Sequence, residues 1–276
     1  MLILLSPAKT LDFESAIPSF ASSTQDPSLL KGSQELIKTL KNYSEAELAK
    51  LMGLSDKLSK LNVERYQAWT GQGQRPALFT FKGDVYQGLQ AETMDEALVA
   101  EAEKSLRILS GLYGTLSPLT HIEAHRLEMG TKLATKKAKN LYQFWGEQVT
   151  KQLQKALQHS LDQPDQQATV INLASQEYSK VVQWKSLDAQ VITPVFKDEK
   201  NGKYKVISFY AKRARGLLAR HLLETQAQNS AKNLAQNTQK ALESFACAGY
   251  FYDPVGSTSE APLFSRSEAN RLQYSS

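Results

Sequence analysis

Short apolar runs alternate along this chain with segments whose apolar positions recur every three or four residues, and that alternation restricts it to sheets packed with helices. The runs that read as strands are 2–6 (LILLS), 77–81, 108–110, 169–174, 190–196, 204–209 and 245–252. Asn201-Gly202 joins two of them and is a strong hairpin signal, and Pro194 puts a kink or an edge in the first of that pair. The helical segments carry start signals. Ser33 is placed to cap a segment with Leu36, Ile37 and Leu40 inward, and Ser44-Glu-Ala-Glu47 is a capping box ahead of Leu48, Leu51 and Met52. Gly53 breaks that helix and Ser55 caps the next. Thr93-Met-Asp-Glu96 reads as a second capping box, and Asn140 opens a long helix with Trp145, Val149 and Leu153 on one side. Asp162-Gln-Pro164 turns the chain, Ala211–Thr225 is helical, and 226–244 is polar and helical. The expected fold class is therefore α/β (mixed), a mixed β-sheet flanked by helices. We expect one body over 1–266, with a helical element at about 33–69, and a flexible tail at 267–276.

Charge is unevenly placed. Lys197–Arg220 holds eight basic residues against two acids, a local +6 in a chain of net +5, so the remainder sums to −1. Local positive charge concentrates polyanions. Lys212 and Arg215 share a helix face, as do Arg213 and Arg220, and all four lie toward a helix start, where cations weaken a helix and anions bind. Lys132, Lys136, Lys137 and Lys139 precede Tyr142 and Trp145, which could stack on bases or fill the core. Leu48–Leu58 resembles a helix-hairpin-helix, with Gly53 and Ser55 in the turn and Lys57 and Lys60 beside it. Such a turn offers backbone N–H groups to a phosphate. Strand ends add Lys9 and Thr10, Lys82 and Asp84, and Ser175, Gln176 and Glu177, the positions at which α/β sheets bind ligands.

Several chemistries are not supported. Ser6-Pro-Ala-Lys-Thr10 lacks the glycines of a phosphate loop. His121, Glu123, His125 and Glu128 are close in sequence but do not have zinc-protease spacing, so no metal or cofactor is expected. Cys247 is the single cysteine, which excludes an intramolecular disulfide and reads as an inert buried thiol. No apolar run approaches the roughly 20 residues of a membrane span, and the expected setting is the cytoplasm, with no membrane partner.

Seven collinear motifs carry a resemblance. Leu5-Ser-Pro-Ala-Lys-Thr-Leu-Asp-Phe13, Phe81–Leu89, Ile108–Gly114, Arg126–Gly130, Leu141–Trp145, Ile171–Ser175 and Ser208–Leu217 resemble the YaaA family of bacterial peroxide stress resistance proteins. The resemblance implies a cytosolic protein of the hydrogen peroxide response that limits free intracellular iron. It also implies DNA binding, a positively charged cleft, a helix-hairpin-helix and an α/β fold of unusual topology. It supplies no catalytic residue. The chain departs from the family pattern at Ser117, Thr120 and His125, where a basic residue, Asp and Tyr are usual.

The leading expectation is a protein that binds double-stranded or distorted DNA with little sequence specificity. Phosphate contacts are expected from Lys9, Lys82, Arg126, Lys132, Lys212, Arg213, Arg215 and Arg220, with the turn at Gly53, Ser55 and Lys57. These cations should gather into a single groove. The alternative is an enzyme using a nucleotide or phosphorylated substrate in the same groove, with Asp84, Glu128 or Glu177 as metal ligand or general base. Direct iron sequestration ranks third, for want of a ligand cluster.

Overall fold

The structure is a computed structural model and describes residues 1–21, 27–160, 168–228 and 234–274. Its fold is mixed α/β, as the alternation of runs requires, but the described strands divide between two five-stranded sheets and two short two-stranded ladders (Thr10–Leu11 with Phe81–Lys82, Arg75–Pro76 with His121–Ile122) rather than gathering in one. The first sheet contains β1 (Leu2–Leu5), β2 (Leu106–Ser110), β3 (Gly114–Leu116), β4 (Thr169–Asn172) and β5 (Gln190–Ile192), in the order β3-β2-β1-β4-β5. β1 lies between two parallel partners, with Ile3 opposite Leu106 on one side and Ile171 on the other. A strand covered on both faces has no use for polar positions, and Leu2–Leu5 are all fully buried.

The second sheet contains β6 (Val195–Lys200), β7 (Lys203–Lys205), β8 (Ala246–Cys247), β9 (Tyr250–Asp253) and β10 (Leu263–Arg266), in the order β7-β6-β10-β9-β8. The Asn201-Gly202 turn forms as its residues demand, with φ of 55° and 72°. Phe196, Phe245, Tyr250 and Phe264 pack against one another on the inner face. Among them sits a buried ion pair. Asp198 accepts from Arg266 Nε at 2.7 Å and from the Tyr250 hydroxyl at 2.6 Å.

Helices α1 (Leu30–Leu40), α2 (Glu45–Met52), α3 (Asp56–Ala68), α4 (Asp84–Leu89), α5 (Glu96–Ser105), α6 (Leu141–Ser160), α7 (Ser208–Gln228), α8 (Leu234–Glu243) and α9 (Glu268–Gln273) occupy the intervening chain. None of the described helices is long and apolar enough to cross a membrane. Ser44 and Glu47 form both halves of the expected capping box. Asn140 Oδ1 accepts from the Gln143 N–H at 3.0 Å, as a cap of α6 should.

Local readings failed where a residue type had two uses. Ser33 lies buried inside α1 instead of capping it. Asp95, not Thr93, caps α5, accepting from the Leu98 N–H at 2.9 Å. Ala77–Thr80 is one helical turn where a strand was expected, since a short run buried on every side has no periodicity to read. The 245–252 run folds back on itself, because Ala248 and Gly249 both take positive φ (50° and 81°) and form a hairpin turn. The run expected at 204–209 leaves the sheet after Lys205 and enters α7 at Ser208. The expected tail carries α9, capped by Ser267 and tied to β6 by Arg271, which donates to the Glu199 carbonyl at 3.0 Å. The turn at 162–164 lies outside the described residues, as does 229–233 of the expected polar helix.

The tightest helix contact joins α4 to α7. Gly88 faces the backbone of Arg213, and Gly216 faces that of Val85. A methyl group at Gly216 would sit 1.8 Å from the Val85 carbonyl oxygen, and one at Gly88 2.1 Å from the Arg213 carbonyl oxygen. Backbone cannot yield as a flexible side chain can. Gly216→Ala should therefore destabilise the protein by about 2–3 kcal/mol or more in urea denaturation. By contrast, Lys205→Ala, at a position exposed on the β7 edge, should change stability by less than about 0.5 kcal/mol. Equal midpoints for Gly216→Ala and the parent chain would show that the helices can part without cost.

Candidate functional site

β1 and β4 run parallel and end side by side, so the loops after them leave the first sheet together. Ser6 ties these loops, its Oγ accepting from the Ser175 N–H at 2.8 Å. Residues 6–10 and 173–178 make one wall of a cavity of about 530 Å³, and residues 82–86 make another. Lys212 and Arg215, from α7, close it. Its place outside the carboxyl ends of parallel strands is where open α/β sheets hold ligands, and its volume falls in the usual range of about 300–1,000 Å³.

The cavity is lined by four cations (Lys9, Lys82, Lys212, Arg215) and three carboxylates (Asp84, Glu128, Glu177), a balance of +1. Much of this charge is already paired. Glu128 bridges Lys9 at 2.8 Å and Arg126 at 3.3 Å. Lys82 reaches Asp12 at 3.2 Å. The Ser15 hydroxyl and the N–H groups of Ser15 and Glu14 hold the Asp12 carboxyl well below the usual carboxylate range, with Lys82 adding to this. Glu177 accepts from the Gly130 N–H at 2.9 Å.

Arg215 differs from these. It is half-buried, and no described residue gives its guanidinium a hydrogen bond or ion pair. Burial draws its pKa down from the ordinary value, yet a guanidinium stays charged in proteins, so a cation without a counter-ion faces the cavity. Lys212 on the same helix face also lacks a described partner, as does Asp84 across the cavity. Burial raises the phenols of Tyr86 and Tyr178 far above their ordinary value, so both remain protonated, and Tyr86 donates to the Ser6 carbonyl at 3.1 Å.

The expected groove is thus smaller than the sequence suggested. Lys9, Lys82, Lys212 and Arg215 converge, and Arg126 stands behind Glu128 with its buried Nε unpartnered. Arg220 points elsewhere. It binds Glu224 at 2.6 Å, the Gln90 carbonyl at 3.0 Å and Thr93 Oγ1 at 2.9 Å, and so closes the end of α4. Arg213 and Lys132 are exposed outside the cavity lining, as is Lys57. Gly53 and Ser55 also lie outside it, in the turn between α2 and α3. There Gly53 takes the left-handed conformation (φ 62°), and the Ser55 hydroxyl makes no capping bond to the start of α3.

Other candidates prove structural. Trp145 is 0 % exposed and donates to the Gly111 carbonyl at 2.9 Å, so it stacks on no ligand. Glu123 accepts from the N–H groups of Thr70 and Gly71, and His125 Nδ1 is 2.7 Å from the Glu123 carbonyl. Among the described residues no three His, Cys, Asp or Glu side chains gather as a metal site. Ser117, Thr120 and His125, the departures from the family pattern, are absent from the cavity lining. Ser117 and Thr120 hydrogen-bond each other at 3.2 Å. Cys247 is half-buried, and burial raises its thiol pKa. Sequence reasoning passed over Ser6, Tyr86 and Tyr178. Ser6 could have been found by the strand-end rule that pointed to Lys9, whereas nothing local marks the two tyrosines.

The family model for the peroxide stress protein YaaA matches residues 1–255 of this chain. A UPF0246 protein of Marinomonas sp. is 49 % identical over 273 residues, covering 98 % of each chain. One of Shewanella halifaxensis is 47 % identical over 270 residues, covering 96 % of this chain and 99 % of its own. One of Aliivibrio fischeri is 46 % identical over 275 residues, covering 98 % of this chain and all of its own.

His125 gives this region a pH dependence. It packs edge-on against Tyr113 and Phe81, and burial lowers its pKa to about 4. The folded state holds the ring neutral, while the unfolded chain takes up a proton near pH 6.5. Stability from this group is therefore complete above about pH 6.5 and falls as the pH drops toward 4, by about 3 kcal/mol. Urea midpoints at pH 7.5 and 4.5 measure the fall. His125→Phe should lose less stability across that interval, and an equal loss would remove His125 as the cause.

Proposed function

Because the chain belongs to the peroxide stress protein YaaA family, we propose that it acts in peroxide stress, in the cytoplasm, by binding a DNA phosphate in the cavity at the ends of β1 and β4. The observation that carries this reading is Arg215, a half-buried cation with no described partner. A guanidinium fork matches phosphate oxygens, and Lys212 adds a second charge one helical turn away. The near-balance of the remaining lining charges suits one or two phosphates better than a long stretch of backbone. A regular duplex is too wide for a cavity of about 530 Å³, so DNA that is kinked, open or otherwise distorted is the favoured partner. The uncapped start of α3 after Gly53 supplies a further backbone contact of the kind that positions DNA without reading its sequence.

Binding of a labelled duplex with a central mismatched bubble, followed by anisotropy across a salt series, tests the reading. Each neutralised phosphate contributes a slope of about −0.9 on duplex DNA and about −0.7 on single strands. Lys212→Ala with Arg215→Ala should flatten the slope by between about one and two and cost about tenfold or more in affinity. An unchanged slope would remove the cavity from the interface. Limitation of free iron belongs to the same proposal, and equilibrium dialysis against ferrous iron shows whether the chain itself takes up the metal.

A second reading is favoured by the three lining carboxylates, above all Asp84, which has no described partner. In it the phosphate belongs to a nucleotide or another small substrate, and Asp84 serves as general base. Asp84→Asn should then abolish turnover of the substrate. If the cavity serves only to hold DNA, the same change should tighten or preserve binding, because it removes a negative charge beside the phosphate.

A further inference from the structure

A second cavity, of about 290 Å³, adjoins the first, and Lys82, Gly83 and Tyr86 line both. The Lys82–Asp12 ion pair stands at the border, since Asp12 lines only the second. Most of the second cavity's wall is apolar. Leu78, Phe79 and Phe81 come from the helical turn after Pro76 and its end, and Ala91 lies just past α4. The Phe81 and Tyr86 rings are 5.5 Å apart and tilted by 36°. A volume at the bottom of the range of small-ligand pockets, with aromatic walls, suits one flat ring system.

Arg75 stands apart in this lining. It is 8 % exposed. Its Nε donates to the Phe79 carbonyl at 3.2 Å and its Nη1 to the Ser15 carbonyl at 2.5 Å, so the guanidinium is held in place. Nη2 has no described partner, and no described carboxylate pairs with Arg75, although Asp12 and Glu92 line the same cavity. A buried cation without a counter-ion is costly to keep. A guanidinium carries donors only, so an acceptor completes it. Asp12 is committed elsewhere, to Ser15 at 2.6 Å and Lys82 at 3.2 Å. A second phosphate is disfavoured, because two cations (Arg75, Lys82) face two carboxylates (Asp12, Glu92) and the lining has no net charge.

We propose that the second cavity is a base pocket. One nucleotide unit lies across the border, its phosphate on Arg215 and Lys212 and its base against Phe79, Phe81 and Tyr86, read by Arg75. Guanine is the best match, because O6 and N7 are adjacent acceptors, whereas adenine sets an N6 donor beside N7. A free guanine nucleotide and a guanine turned out of a distorted strand share this chemistry. The inference rests on the reading that the first cavity holds a phosphate, and it names what that phosphate carries.

The test is calorimetric titration of the full chain with dGMP, dAMP and inorganic pyrophosphate. The parent should bind dGMP about tenfold more tightly than dAMP. Arg75→Lys keeps the charge without the fork and should erase that preference while sparing pyrophosphate. Ala16→Trp, at an exposed position of the lining, fills the cavity without touching the core. It should weaken dGMP binding about tenfold and also spare pyrophosphate, and it decides the matter if Arg75→Lys melts early. Bubble duplexes with one unpaired guanine or one unpaired adenine separate the two sources. A preference for guanine in the duplexes assigns a base turned out of DNA, and a preference confined to the free nucleotides assigns a small molecule. Equal binding of dGMP and dAMP, and of the two duplexes, would overturn the proposal. The cavity reading would survive that result if Lys212→Ala with Arg215→Ala still weakened DNA binding. Loss of pyrophosphate along with dGMP in Arg75→Lys would make Arg75 a phosphate ligand and overturn the base pocket too. If the parent binds no nucleotide, pyrophosphate or DNA, this inference and the cavity reading fall together.

Discussion

Two helices meet backbone to backbone where Gly88 of α4 faces Arg213 and Gly216 of α7 faces Val85, and the position of the cavity follows from that contact. α4 follows directly from Lys82 and Gly83, which line the cavity, and α7 carries Lys212 and Arg215. Any side chain larger than hydrogen at either glycine would hold the helices apart and move the two groups of residues away from each other. Arg220 reinforces the same joint from below by bonding the carbonyl of Gln90 just past the end of α4. α7 thus brings a basic helix, encoded far along the chain, to the end of the strand that begins it.

Proximity of cations is not the same as availability. Lys9, Lys82, Arg126 and Arg220 each have a carboxylate within 3.3 Å, so their charge is largely spent within the protein. Partly exposed pairs of this kind contribute little to stability, but they reduce the field that a distant polyanion would feel. Arg215 and Lys212 keep theirs. Little long-range attraction is therefore left in the cavity, and the more strongly cationic surface is the Lys200–Lys203 hairpin on the other sheet.

The sequence made the fold class legible because β1 is apolar throughout and Asn201-Gly202 permits little besides a hairpin. It marked Lys9, Lys82, Lys212 and Arg215 as candidates, which the fold brings to one cavity, because strand ends and a basic helix start are local features. It could not show that Arg220 closes a neighbouring helix, since its partners Gln90 and Thr93 lie 130 and 127 residues away. Trp145 was ambiguous for a different reason, as a core stripe and a stacking platform use the same residue types. The division into two large sheets was hidden because the single run 190–196 holds both Gln190–Ile192 and the first residues of Val195–Lys200, and it changes sheets around Pro194.

The second sheet is assembled out of sequence order. β10 lies in its middle, yet it is encoded after the four strands it joins. Until residue 266 has been synthesised, Asp198 has no guanidinium to meet, and a carboxylate destined for a dry interior must stay in water. A nascent chain emerging from the ribosome can complete the first sheet early but must hold the second open. Its closure, like the fastening of a clasp, waits on the arrival of a single arginine.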